Sequence, residues 1–90
     1  MISETTIRKV RELAIEDVLS PYVRLSRKGS TLMGLCPFHT EKTGSFAVTP
    51  GKNLFHCFSC NRGGDSITFI MEKENLSFSG AVEFITIIFR

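Results

Sequence analysis

Cys36, His39, Cys57 and Cys60 form a Cys-x2-His…Cys-x2-Cys pattern, with 17 residues between the two pairs. Two intervening residues let a tight turn aim both side chains of a pair at one point. Two such turns, brought together from distant parts of the chain, close a tetrahedral shell of three sulfurs and one imidazole nitrogen, the donor set of a zinc ion. All four positions are protein ligands, so the site reads as one structural zinc rather than a catalytic one; an open coordination position would be needed for a zinc-dependent hydrolase. The gap between the pairs fits a β-hairpin linking two knuckles. A disulfide framework would leave an odd thiol, since the chain has three cysteines. A redox pair at Cys57-Phe58-Ser59-Cys60 lacks the surrounding βαβ pattern. His56 lies beside Cys57, and in an extended chain it points to the other face.

Those knuckles need elements to hold them. Ninety residues make one small domain whose core is marginal without help, and zinc supplies that help. Ser3 is placed to cap a helix running to about Leu13, with Ile7, Val10 and Ala14 inward. A short second helical turn covers Glu16 to Ser20 and ends at Pro21. Tyr22 to Ser26 reads as a strand, Arg27-Lys28-Gly29-Ser30 as a turn, and Thr31 to Leu35 as the returning strand. Phe46 to Thr49 is a third strand, Pro50-Gly51-Lys52-Asn53 a turn, and Leu54 to Phe58 the run into the second knuckle. Gly63-Gly64 reads as a turn before a helix capped by Asp65. Asn75-Leu76 breaks that helix, and Ser77 caps a last one with Phe78, Ala81, Val82, Ile85 and Ile88 on its apolar face. Phe38, Phe46, Phe69 and Phe78 read as core. The fold class is therefore α+β: a zinc ribbon on a small antiparallel β-sheet, core about 22–64, with flanking helices over 3–20 and 65–89, all within one domain spanning 1–90.

The formal charge of +2 conceals an asymmetry. From Val18 to Gly64 the basic residues Arg24, Arg27, Lys28, Lys42, Lys52 and Arg62 face one acid, Glu41, which leaves +5; the remainder of the chain carries −3. Three thiolates around a zinc remove about one charge from that middle segment. A basic ribbon points to a polyanion partner. No stretch reaches the roughly 20 apolar residues that span a bilayer, and the N-terminus has neither the basic start nor the apolar run of a signal peptide. Thiols kept for a metal suit a reducing compartment, so the expected location is the cytoplasm.

Several short stretches occur together: Gly34-Leu35-Cys36-Pro37-Phe38-His39, Glu41-Lys42-Thr43, Ser45-Phe46, Phe55-His56-Cys57-Phe58, Cys60, Gly63-Gly64-Asp65, and Ser77-Phe78 with Ala81-Val82-Glu83. Together they resemble the N-terminal zinc-binding domain of bacterial, DnaG-type DNA primases. The resemblance implies a ribbon on about five antiparallel strands, binding to single-stranded template DNA, and a part in primer initiation. It also implies a primase catalytic domain and the replicative helicase as protein partners. Lys42 and Lys52 match positions implicated in template binding; Arg24, Arg27, Lys28 and Arg62 add cations, and Tyr22, His56 and Phe58 are stacking candidates. The chain departs from the family's usual residues at Ser26, Ser30, Gly44 and Ser59, the marks of a divergent relative of a kind carried on mobile elements. Ser59 would be strained if its φ were positive. Nucleotidyl transfer needs clustered carboxylates. The acids here are scattered and no Walker-type phosphate loop is present, so this stretch is not expected to polymerise alone. The alternative is a free-standing ribbon that docks on a polymerase core or helicase, favoured by its acidic flanks and apolar tail.

Overall fold

Ser3 starts the first helix as its position predicts. In the computed structural model, which describes residues 2–38 and 44–89, its hydroxyl accepts the Thr6 amide at 3.2 Å, satisfying one of the free N–H groups at a helix start. Helix α1 (Glu4–Glu12) buries Val10, and α2 (Ile15–Leu19) follows almost at once. The start of α2 has no capping side chain of its own. Asn53, 38 residues away, supplies one: its Oδ1 accepts the Ile15 amide at 2.8 Å. Its Nδ2 donates to the carbonyls of Arg11 at 3.0 Å and Leu13 at 2.9 Å, so one side chain closes the end of α1 and the start of α2.

Five strands follow, β1 (Ser26–Lys28), β2 (Thr31–Gly34), β3 (Phe46–Thr49), β4 (Leu54–Cys57) and β5 (Arg62–Gly64), all antiparallel and ordered β1-β2-β3-β4-β5. Strand side chains alternate between faces, and the register sorts them. Leu32 opposes Val48, Val48 opposes Phe55, and Phe46 opposes Cys57, which makes one face apolar. Phe46 and Phe55 stack with centroids 5.4 Å apart, and Phe69 of helix α3 (Ser66–Lys73) packs edge-on against Phe55 at 5.4 Å. Fully buried Ile15, Val18 and Leu19 from α2 join Ile67, Ile70, Ala81, Val82 and Ile85 in the same core. The opposite face carries Met33, Ala47 and His56 in one cross-strand row.

Asp65 caps α3, accepting the Thr68 amide at 2.9 Å, and Ser77 caps α4 (Phe78–Ile88), accepting the Gly80 amide at 3.1 Å. Asn75, with φ 56°, turns the chain between them.

Four expectations are corrected. The first strand is Ser26–Lys28, not Tyr22–Ser26. The amides of Tyr22 and Val23 donate to the Leu19 carbonyl at 2.9 and 3.1 Å, so this segment wraps the end of α2 instead of joining the sheet. The hairpin turn is correspondingly only Gly29-Ser30, because Lys28 pairs with Thr31. Gly29 has φ 65° and Ser30 does not share the positive sign, the pattern of a II′ turn with glycine first. Gly63-Gly64 is strand, not turn: Gly63 pairs with His56, and a Cβ on it would lie 3.0 Å from both the His56 ring and the Phe55 carbonyl. Glycine there reflects close packing rather than a bend. Finally, Phe78 and Ile88 are 38% and 52% exposed. They lie in the end turns of α4, beyond the reach of the core that Ala81, Val82 and Ile85 fill.

Candidate metal centre and adjoining open face

Cys36 follows β2, Cys57 ends β4, and Cys60 lies in the turn leading to β5. The β3–β4 hairpin therefore stands between the two knuckles, as the spacing predicted. The three sulfurs lie within 4.8 Å of one another, and Cys36 Sγ is 3.6 Å from Cys60 Sγ. That is far beyond a disulfide bond, and no disulfide joins the three cysteines. It is close to the ~3.8 Å that separates two sulfurs on a tetrahedral zinc with bonds of about 2.3 Å. Cys57 is fully buried and Cys36 4% exposed. His39 and Lys42 lie outside the described residues. Among the described residues His56 is not part of the cluster, and it projects on the other face of the sheet, as expected.

The electrostatics of the thiols favour a cation. Burial pushes the Cys36 thiol up to about 12, reinforced by its sulfur neighbours Cys57 and Cys60 against the Phe38 amide. Burial acts on Cys57 in the same direction, but hydrogen bonds from the Ser59 hydroxyl, the Cys60 amide and the neighbouring thiols outweigh it and bring Cys57 down to about 6. Packed sulfurs cannot all ionise together without a compensating charge. A divalent cation removes that penalty, so the donor set fits the ion.

The second knuckle is closed by the Asn61 amide donating to the Cys57 carbonyl at 2.8 Å. The left-handed residue there is Asn61, φ 59°, and not Ser59, so Ser59 carries no backbone strain. The Phe58 amide donates to the Ser45 carbonyl at 2.9 Å, tying the knuckle to the strand before it. Ser45 and Ser59 are 2.8 Å apart through their hydroxyls, and Ser59 Oγ is 3.4 Å from Cys57 Sγ. Neither serine was singled out as part of the site from sequence. A partner 14 residues away gives no local pattern to read.

The register divides the predicted cations. Lys28 and Ser26 share the face of Met33, and a groove on that face is lined by Arg24, Ser26, Lys28, Met33, Gly34, Leu35 and Gly44. Lys52 is exposed in the β3–β4 turn. Arg27 and Arg62 alternate to the helix side. Arg27 donates to the Gly29 carbonyl at 3.4 Å. Arg62 lies 4.9 Å over the Phe38 ring and 3.5 Å from a Glu72 carboxylate oxygen. Phe58, 69% exposed, stands edge-on to His56 at 4.7 Å. Tyr22 is half-buried, with its ring on Phe69 at 5.5 Å and its hydroxyl donating to Glu74 at 2.7 Å. Burial, then the Glu74 hydrogen bond and charge, raise it to about 12.

A five-stranded antiparallel sheet that brings three cysteines from two turns to one point, with helices packed on its apolar face, defines a zinc ribbon of the α+β class. Residues 2–89 match the CHC2 zinc finger family, and the chain belongs to that family, the zinc-binding domain of DnaG-type DNA primases. The family and the three-sulfur cluster together identify the cofactor as zinc. The chain is 48% identical over 83 residues to a DNA primase of Geobacillus stearothermophilus, covering 91% of this chain and 14% of that protein. It is 52% identical over 84 residues to one of Mycobacterium tuberculosis, covering 91% and 13%. The crystal structure of the Aquifex aeolicus primase, zinc-binding and RNA polymerase domains, superposes with a TM-score of 0.86 at 39% identity, covering 99% of this chain and 22% of that one. The chain thus spans about a seventh of the length of the Geobacillus and Mycobacterium primases it matches. No helix among the described residues is long and apolar enough to cross a membrane.

Proposed function

We propose that this chain is the template-binding part of a DNA primase, in which zinc held by Cys36, His39, Cys57 and Cys60 fixes a sheet face that meets single-stranded DNA. The observation that carries this reading is the groove on the open face, where Arg24 and Lys28 flank Met33 and Leu35. Cations beside an apolar floor suit a strand whose phosphates are neutralised while its bases lie on apolar or aromatic surface. Phe58 with His56, and Lys52 at the hairpin tip, extend the same surface; Lys42 joins them by resemblance. Tyr22 and Arg62 are left out of the contact set because each is already engaged on the helix side, and Arg27 because the register turns it away from the groove. Priming by the larger protein, in the cytoplasm, follows as part of the same proposal.

The test is binding to a labelled oligonucleotide across a salt series. Replacing both Arg24 and Lys28 with alanine is expected to weaken binding and lower the salt slope by about 1.4, at ~0.7 per phosphate contact on single strands. Arg62→Ala should leave the slope in place. Equal slopes for all three proteins would remove the reading.

A second reading is favoured by one observation. Ile87 and Ile88 are 66% and 52% exposed on α4, a surface suited to docking on a primase catalytic domain or a replicative helicase. On that reading the chain binds no oligonucleotide even at low salt.

A further inference from the structure

Two hydroxyls beside Cys57 lie within hydrogen-bonding reach of its sulfur and of each other. A metal-bound thiolate has no proton, so its sulfur can only accept. Ser59, the nearer hydroxyl at 3.4 Å, is placed to donate its proton to that sulfur, with its oxygen accepting from Ser45, 2.8 Å distant. Ser45 itself lies 3.8 Å from the sulfur, on the flank of the same atom. It is anchored independently, because its carbonyl takes the Phe58 amide at 2.9 Å. A chain of donors polarises each successive hydrogen bond.

We propose that Ser59, aligned by Ser45, is a positioning residue of the metal centre. Its hydrogen bond withdraws electron density from the Cys57 sulfur and sets how much charge that sulfur gives to the metal. A sulfur that shares its lone pair with a hydroxyl proton is a weaker charge donor. The proposal rests on Cys57 being a zinc ligand, and goes beyond template binding.

The experiment replaces zinc with cobalt(II) in the whole chain and records the thiolate-to-metal charge-transfer band. Ser59→Ala is expected to shift the band to longer wavelength. Ser59→Thr, which keeps the hydroxyl, should restore it. Ser45→Ala should move the band the same way by less, and it tests the relay independently should Ser59→Ala fail to load. A band unchanged in the loaded alanine variants, or altered as much by threonine as by alanine, would overturn the proposal. A wild-type chain that takes up no cobalt would overturn the ligand assignment, and the relay with it. The first outcome leaves the salt-slope test of DNA binding untouched.

Discussion

Tyr22 is the chain's one tyrosine, and there is no tryptophan, so phenolate absorbance titrates this residue alone. Burial and Glu74 raise it from the ordinary value of 10.0 to about 12. A raised folded value means that the contact contributes fully below pH ~10 and loses its contribution as pH climbs through about 12. The expected titration of the zinc-loaded protein has its midpoint well above 10, and Glu74→Gln moves it down. A wild-type midpoint at 10 with the fold intact would show that the hydroxyl does not meet Glu74. Residue-scale features varied in how far sequence exposed them. The metal ligands share a spacing, and Ser3, Asp65 and Ser77 share a capping position, so each could be read locally. Tyr22 could not: its partner is 52 residues distant, and its neighbours Val23 and Leu25 signalled a strand.

At the scale of elements, the β3–β4 turn does more than reverse the chain. Asn53 adopts φ 56°, which asparagine tolerates better than most residues, and its amide joins the hairpin to the α1–α2 elbow through three hydrogen bonds. Asn53→Ala is expected to cost about 2–3 kcal/mol in urea unfolding of the zinc-loaded protein, from the lost cap and unmet carbonyls together. Asn53→Gly should cost ~1 kcal/mol less, because it removes the same bonds without forcing a Cβ into the left-handed region. Equal stability of alanine variant and wild type would mean that the staple contributes nothing. The Pro50-Gly51-Lys52-Asn53 turn was legible as a turn because its residue types are turn formers. Its grip on the helices was not, since propensity describes backbone shape and says nothing of what a side chain reaches. The same limit explains β5, where two glycines hid a strand: it pairs with β4, and the His56 ring and Phe55 carbonyl leave no room for a Cβ at Gly63.

At the scale of the molecule, the sheet and the helices share one core, and the metal pins the end of the sheet that holds both knuckles. Structural zinc in small fingers contributes about 10–16 kcal/mol, as much as a typical domain's whole stability. Chelation is therefore expected to abolish the near-ultraviolet signal and expose the chain to protease. Zinc should restore both and magnesium should not, because thiolates bind soft ions. A chelated chain that keeps both properties would show that the core alone holds the ribbon. The fold class was legible because the ligand spacing and the strand signals agreed. The use of each face was not, because only the register decides that Lys28 shares the groove with Met33 while Arg27 does not.

The two outermost strands, β1 and β5, are each only three residues long. One carries Arg27 and Lys28, the other Arg62. A neighbouring molecule seeking to extend the sheet finds few free backbone groups and meets positive charge on both sides. The folded ribbon is thereby guarded against stacking edge to edge into fibres.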